Sequence, residues 1–186
     1  MNYTVLLDRD GVINIDSSDY IKHPSEFEFI PNSAKAIAAL SQNGFKVILI
    51  TNQSVINRKM ATQKTLDAIF DKLKAGVATE GGRVDDIFFC PHRPDENCIC
   101  RKPKPKMILD AAEKHRIDLS CSFMVGDSAK DIECALNAGV GTTVLVETGN
   151  GEQAQKDLKI KGITPDAILQ DLFASAQWII HRVKDR

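Results

Sequence analysis

Tyr3-Thr4-Val5-Leu6-Leu7-Asp8-Arg9-Asp10-Gly11-Val12 is a short apolar run that ends on two carboxylates. Side chains repeat every two residues along a strand, so Asp8 and Asp10 are expected to point the same way at the exit of a buried strand. One carboxylate of such a pair can attack a phosphoryl group while the other, protonated, passes a proton to the departing oxygen. A metal ion between them offsets the crowding of negative charge. By itself the motif also fits a surface turn or a calcium loop. Its partners along the chain favour phosphoryl transfer. Val47-Ile48-Leu49-Ile50 leads into Thr51-Asn52-Gln53-Ser54, and Ser122-Phe123-Met124-Val125-Gly126 leads into Asp127. Between them, Arg101-Lys102-Pro103-Lys104-Pro105 supplies positive charge on a backbone that its prolines restrain. Ligands of open parallel sheets bind outside the carboxyl ends of the strands, so these strand ends are expected to share one crevice.

A second cluster lies just upstream of Arg101. Cys90-Pro91-His92 and Cys98-Ile99-Cys100 offer three thiolates and one imidazole, a closed tetrahedral zinc set with no position left for water or substrate. A structural Zn2+ on Cys90, His92, Cys98 and Cys100 would clip this loop and so hold Arg101 and Lys102 over the crevice. The other two cysteines, Cys121 and Cys134, read as small buried hydrophobes. His23, His115 and His181 show no partner pattern and are expected to face solvent.

With Asp8/Asp10, Thr51, Lys102 and Asp127 in this order, the chain resembles the haloacid dehalogenase superfamily of phosphatases over residues 3–147. Within the superfamily, the phrase from Asp8 to Asn14, the Thr-Asn-Gln-Ser turn and the cysteine segment are similar to the branch acting on heptose bisphosphates. The branch acting on histidinol phosphate shares the metal segment. The resemblance implies Asp8 as nucleophile, Asp10 as general acid and then base, Thr51 as a donor to a phosphoryl oxygen and Lys102 as the neutralising cation. It implies catalytic Mg2+ on Asp8, the Asp10 carbonyl and Asp127, with Asp131 behind them holding a lysine or a metal-bound water. Arg58 matches a substrate arginine of the heptose branch. Asn52, Gln53, Ser54 and Arg101 are expected beside it, and the loop carrying Asp16, Asp19 and Tyr20 suits sugar hydroxyls. Three departures stand out: Val55 and Lys59 occupy positions where that branch has glycine, and Ser128 one where some members have lysine, a contact that Lys130 is placed to replace.

The rest of the chain bounds this reading. Its 186 residues, 43% of them hydrophobic, suit one well-buried core, so residues 1–186 are expected to form a single domain. Lys and Arg number 24 against 25 Asp and Glu, and no basic stripe interleaved with aromatics suggests a nucleic-acid partner. The chain enters its first strand without a cationic leader, and no apolar run approaches the roughly 18 residues of a membrane span. A cytoplasmic enzyme without a membrane or nucleic-acid partner is expected, monomeric because no exposed apolar heptad is sustained. The resemblance implies a small phosphorylated sugar as the partner. The reading from another class is an inactive zinc-stabilised binding module.

Strands and helices alternate: strand 4–7, helix 31–43, strand 46–50, helix 62–79, strand 86–89, helix 104–116, strand 122–126, helix 128–138, strand 143–146, a weaker strand 167–169 and helix 171–183. Such alternation implies an α/β, Rossmann-like three-layer fold with a mostly parallel central sheet. Gly44 and Gly139 fall just past apolar-periodic segments, where a left-handed cap costs least. Only residues 15–31 and 91–102 are free for insertions, so no large cap domain is expected and the site should be shaped by loops. The stretch 148–165, rich in Gly, Gln and Lys, reads as a mobile loop with at most a short helix, and no chemistry is assigned to it.

Overall fold

The computed structural model describes residues 3–185. Six strands, β1 (Thr4–Leu7), β2 (Lys46–Asn52), β3 (Asp86–Cys90), β4 (Phe123–Gly126), β5 (Thr142–Val146) and β6 (Ala167–Leu169), form one sheet in the order β3-β2-β1-β4-β5-β6. Every neighbouring pair is parallel. Strand β1 lies at the centre, with β2 on one side and β4 on the other. The chain therefore reverses its direction of winding across β1, and the crevice of an open parallel sheet forms at that point.

Alternation along the strands builds the two faces. Val5, Leu7, Val47, Leu49, Phe123 and Val125 point to one side, where they pack with Ile37, Ile69 and Ile179. These come from α1 (Ser33–Gln42), α2 (Gln63–Thr79) and α6 (Leu172–Lys184). Leu6, Ile48, Ile50 and Met124 point to the other side, against Ile108 of α3 (Lys106–His115) and Ala135 of α4 (Ala129–Ala138). Burial on both faces explains why the strands read as continuous apolar runs.

Helix ends follow local chemistry. Thr62 and Asp171 accept hydrogen bonds from the backbone N–H groups of Thr65 and Ala174 and start α2 and α6. Gly139 closes α4 at φ 81°. Strand β2 runs two residues further than its apolar run suggests and so includes Thr51 and Asn52. The larger difference is at 148–165, where α5 (Gly151–Ile160) is a full ten-residue helix rather than mostly loop. Its anchors are Ala154 and Leu158, four residues apart, packed on Leu145 and Ile132. Two apolar positions in a polar stretch give a weak periodic signal, and burial against β5 supplies the rest. Residues 8–32, between β1 and α1, hold a 3-10 turn at Pro24–Glu26 and two isolated β-bridges, Asp10 with Asn14 and Asn14 with Phe29.

Two smaller expectations fail. His115 is half-buried, with Nε2 hydrogen-bonded at 2.6 Å to Asp86 Oδ2 at the start of β3, rather than a solvent-facing side chain. Cys121 is only half-buried, because it ends a short 3-10 turn ahead of β4. His23 and His181 are exposed. Lys59 has φ 58°, so the substrate-side turn keeps at this position the left-handed backbone that glycine adopts most easily.

Candidate active site

The ends of β1, β2 and β4 open into a cleft of about 530 Å3. Asp8, Asp10, Thr51, Lys102 and Asp127 all line it, as do Asp16, Tyr20, Asn52, Ser54, Arg58 and Arg101. Two expected substrate residues do not. Asp19 sits at the corner of a turn closed by Tyr20 N–H on the Ser17 carbonyl and is left in solvent, while the Tyr20 ring lies under the Arg58 guanidinium at 5.3 Å. Gln53 is buried; its Nε2 donates to Asp10 Oδ2 and to Thr51 Oγ1, both at 2.9 Å. Its place is behind the cleft, orienting two cleft residues. Because Thr51 Oγ1 accepts from Gln53, its own proton is available to a ligand.

Lys102 is buried beneath the cleft, and its Nζ has three acceptors: Asp8 Oδ1 at 2.9 Å, Asp131 Oδ1 at 2.6 Å and the Ile50 carbonyl at 2.8 Å. Its backbone is held as well, since Asn52 Oδ1 accepts from Lys102 N–H and Asn52 Nδ2 reaches the Lys102 carbonyl. Asp131 Oδ2 accepts from the N–H and Oγ of Ser128, the capping arrangement that starts α4. Both oxygens of Asp131 are thus engaged, and it backs the lysine.

Asp8, Asp127 and Asp131 bring carboxylate oxygens within 4.8 Å of one another. Burial, opposed in part by Lys102 and reinforced by Asp131, pushes the Asp8 carboxyl up to about 7. Burial, with Asp131 and Asp8 adding to it, pushes Asp127 up to about 8. Buried anions crowded around one lysine are short of positive charge, and their hard oxygens fit a Mg2+ ion held by Asp8 and Asp127. Asp10 behaves oppositely. Burial would raise its carboxyl, but the Arg9 charge and hydrogen bonds from Arg9, Asn14 and Gln53 outweigh burial and hold it below the usual carboxylate range. Arg9 pairs with both oxygens of Asp10, at 2.6 and 2.8 Å, and is only 1% exposed.

The cysteine segment closes on itself beside the cleft. Five of the separations among Cys90, Cys98 and Cys100 Sγ and His92 Nδ1 run from 3.0 to 3.7 Å, and all four atoms lie within 4.8 Å of one another. Ligand atoms bound to one tetrahedral zinc stand roughly 3.3–3.8 Å apart, so the donor set and its spacing fit that ion. Burial, together with a hydrogen bond involving Cys100, raises the Cys90 thiol far above its ordinary range. Arg101 Nη1 donates to the His92 carbonyl at 2.9 Å and ties this loop to the cleft.

Two contributors had no role in the sequence reading. Arg9 lies between the two motif carboxylates, past the end of β1 at Leu7, where the strand period no longer holds and its guanidinium folds back onto Asp10; that buried bidentate pair required the folded chain. Asn150 is held against Asp127, with N–H and Nδ2 at 2.8 and 3.2 Å from Oδ2. A signal for it existed, since Thr148-Gly149-Asn150 follows an apolar strand as the other crevice residues do.

Comparison with known proteins agrees with this geometry. A family model described as HAD-hydrolase-like matches residues 99–175. The chain belongs to the haloacid dehalogenase-like hydrolases and is a phosphoric monoester hydrolase. It is 43% identical over 177 residues to the D-glycero-beta-D-manno-heptose-1,7-bisphosphate 7-phosphatase of Bordetella bronchiseptica, covering 95% of this chain and 97% of that protein. The enzyme of the same name from Pseudomonas putida is 46% identical, with 95% and 98% covered. Among solved structures, the B. bronchiseptica D,D-heptose 1,7-bisphosphate phosphatase complexed with magnesium and phosphate superposes with a TM-score of 0.91 at 42% identity, covering 98% of this chain and 99% of that one.

Proposed function

We propose that this chain is a magnesium-dependent phosphatase that removes the 7-phosphate of D-glycero-D-manno-heptose 1,7-bisphosphate, acting as a cytoplasmic monomer, with residues 1–186 as one catalytic unit, on the route to ADP- or GDP-heptose. One observation carries the choice of a doubly phosphorylated substrate. A side cavity of about 230 Å3 branches from the cleft, and Arg93, Arg101, Lys104 and Lys130 line it next to Lys102 with no carboxylate among the lining residues. Arg93 is already paired with Asp95 and Glu96, at 3.4 and 3.5 Å, so with the transferring phosphate facing Lys102 it is Arg101, Lys104 and Lys130 that leave charge for a second anion. The same wall repels the ammonium of histidinol phosphate, which makes the sugar the better fit.

In this reading Asp8 attacks phosphorus and the bond to the sugar oxygen breaks, giving an aspartyl-phosphate and an alkoxide that takes a proton from Asp10. Water then attacks the same phosphorus, its proton passes to Asp10, and inorganic phosphate leaves with Asp8 regenerated. The hydrogen bonds that keep Asp10 ionised suit its second task. For the first, the Arg9 pair has to open so that the carboxyl arrives protonated. Thr51 and the backbone around it hold phosphoryl oxygens, and Lys102 keeps Asp8 in line from below. Asp8, the Asp10 carbonyl and Asp127 would hold magnesium, which would supply charge neutralisation at the transferring phosphate. Zinc on Cys90, His92, Cys98 and Cys100 has a structural part, fixing the loop that anchors Arg101. Tyr20, Asp16, Asn52, Ser54 and Arg58 contact the sugar and its phosphates.

A substrate panel tests this. The heptose bisphosphate should exceed both its 7-monophosphate and histidinol phosphate in kcat/KM. Arg58→Ala or Lys130→Gln should narrow the first preference by roughly tenfold to a hundredfold, the worth of one charge-assisted bond. Equal efficiency on the bisphosphate and histidinol phosphate would overturn the sugar assignment and leave the phosphatase standing.

A further inference from the structure

The segment that leaves β5 closes over Asp127 from the front. Thr148 Oγ1 donates to the Gly11 carbonyl at 2.6 Å, and Asn150 donates to Asp127 Oδ2 twice, from its backbone at 2.8 Å and from Nδ2 at 3.2 Å. The same Nδ2 lies 3.2 Å from Asp16 Oδ2 in the loop that faces the cleft. Two glycines permit this approach. A Cβ on Gly11 would stand 2.1 Å from Asp127 Oδ2, and one on Gly149 would stand 2.2 Å from the same oxygen and 2.6 Å from Gly11 Cα. Both have positive φ, 78° and 61°. Two stretches of backbone remote in sequence, residues 11 and 149, thus converge on a single carboxylate oxygen.

The consequence is directional. Asp127 is 2% exposed, and with Oδ2 committed to Asn150 it has one oxygen, Oδ1, to present to the cleft. Although Asn150 stands at the N-cap position of α5, its side chain makes no capping bond to the helix. Its amide is turned instead onto the two carboxylates, a use that helix formation does not require. Groups that orient a metal-binding carboxylate in this way commonly change metal affinity tenfold to a hundredfold when removed.

We propose that Asn150 is a positioning residue that holds Asp127 with one oxygen directed at the divalent cation. This rests on the reading of Asp127 as a magnesium ligand. The side-chain amide works with the Asn150 backbone N–H to fix the carboxylate plane before the ion arrives, so removing it leaves Asp127 held by the backbone donor alone and weakens binding without deleting a ligand.

The test is calorimetric titration of the full-length protein with MgCl2 alone, for wild type, Asn150→Ala, Asn150→Ser and Asp127→Ala, with the melting temperature of each metal-free protein. Expected are a Kd raised about tenfold in Asn150→Ala, an intermediate value in Asn150→Ser, which retains one donor, and near-complete loss of binding in Asp127→Ala. With an aryl phosphate, the magnesium concentration for half-maximal rate should rise by the same factor while kcat at saturating magnesium stays within about threefold, a split that a general loss of structure does not produce. An Asn150→Ala or Asn150→Ser protein that binds Mg2+ within twofold of wild type, while Asp127→Ala does not bind, overturns the positioning role. Wild-type affinity in Asp127→Ala overturns the magnesium assignment itself, and the role of Asn150 with it.

Discussion

The two groups of side chains in this molecule that could hold a metal ion are built in opposite ways. The cysteine and histidine group comes from one stretch, Cys90 to Cys100, and its four donor atoms meet through local turns. Asp8 and Asp127 come from the ends of β1 and β4 and meet only because those strands pair in the sheet, where Leu7 lies opposite Val125. The first group is closed, since its four donors fill a tetrahedron. The second offers a few oxygens beside a cleft, which leaves room for water and phosphate. In both, burial raises the proton affinity of a donor, the Cys90 thiol in one and the Asp8 and Asp127 carboxyls in the other. In the proposed reading the local closed group would stabilise a loop, and the dispersed open one would perform chemistry.

Three experiments strain this contrast, from the largest expected effect to the smallest. Asp8→Asn removes the nucleophile, so turnover of an aryl phosphate should fall by at least ~10³-fold while the circular dichroism spectrum is kept. A variant with a tenth of the normal rate would rule out the covalent route. For the closed group, zinc content by elemental analysis should be about one per chain, and Cys98→Ser should reduce it, lower the melting temperature and cut kcat/KM by roughly tenfold to a hundredfold. Zinc lost with neither stability nor activity changed would refute the supporting role of the loop.

The third concerns pH. Mg2+ requires ionised carboxylates, and the folded values of about 7 for Asp8 and about 8 for Asp127 mean that protons compete for both near neutrality. Magnesium affinity measured by calorimetry should therefore rise from pH 6 to about 8.5, by about tenfold per unit where one proton is displaced, and then level off. The metal-free fold should show the converse. Raised folded values mean that the native state binds more protons than the unfolded one between about pH 4 and 8, so its melting temperature should drop as pH rises through that window. Magnesium should reverse the drop. An affinity that does not change with pH would show that these carboxyls are not the ligands.

Legibility followed the same division. Alternating apolar runs and Gly stops were enough to anticipate the parallel sheet and five of the six long helices, because burial on both sheet faces leaves a continuous apolar record. The cysteine loop was legible as a spacing pattern. For α5 the record was thin, since Ala154 and Leu158 are its only buried large contacts and both depend on β5 and α4. Gln53 was placed on the substrate side because of its neighbours Asn52 and Ser54, whereas the backbone past β2 turns it inward onto Asp10 and Thr51.

The sequence by itself determined the order of strands and most helices, the carboxylate pair at the exit of β1 and the cysteine and histidine pattern, all of which arise from residues close together in the chain. Only the tertiary structure decided the state of Asp10, the burial of Lys102 between Asp8 and Asp131, the cation-lined side cavity and the approach of Asn150 to Asp127. Each of these depends on desolvation and on distances between segments far apart in the chain. Such quantities come into being when the sheet closes, and no local pattern of residues encodes them.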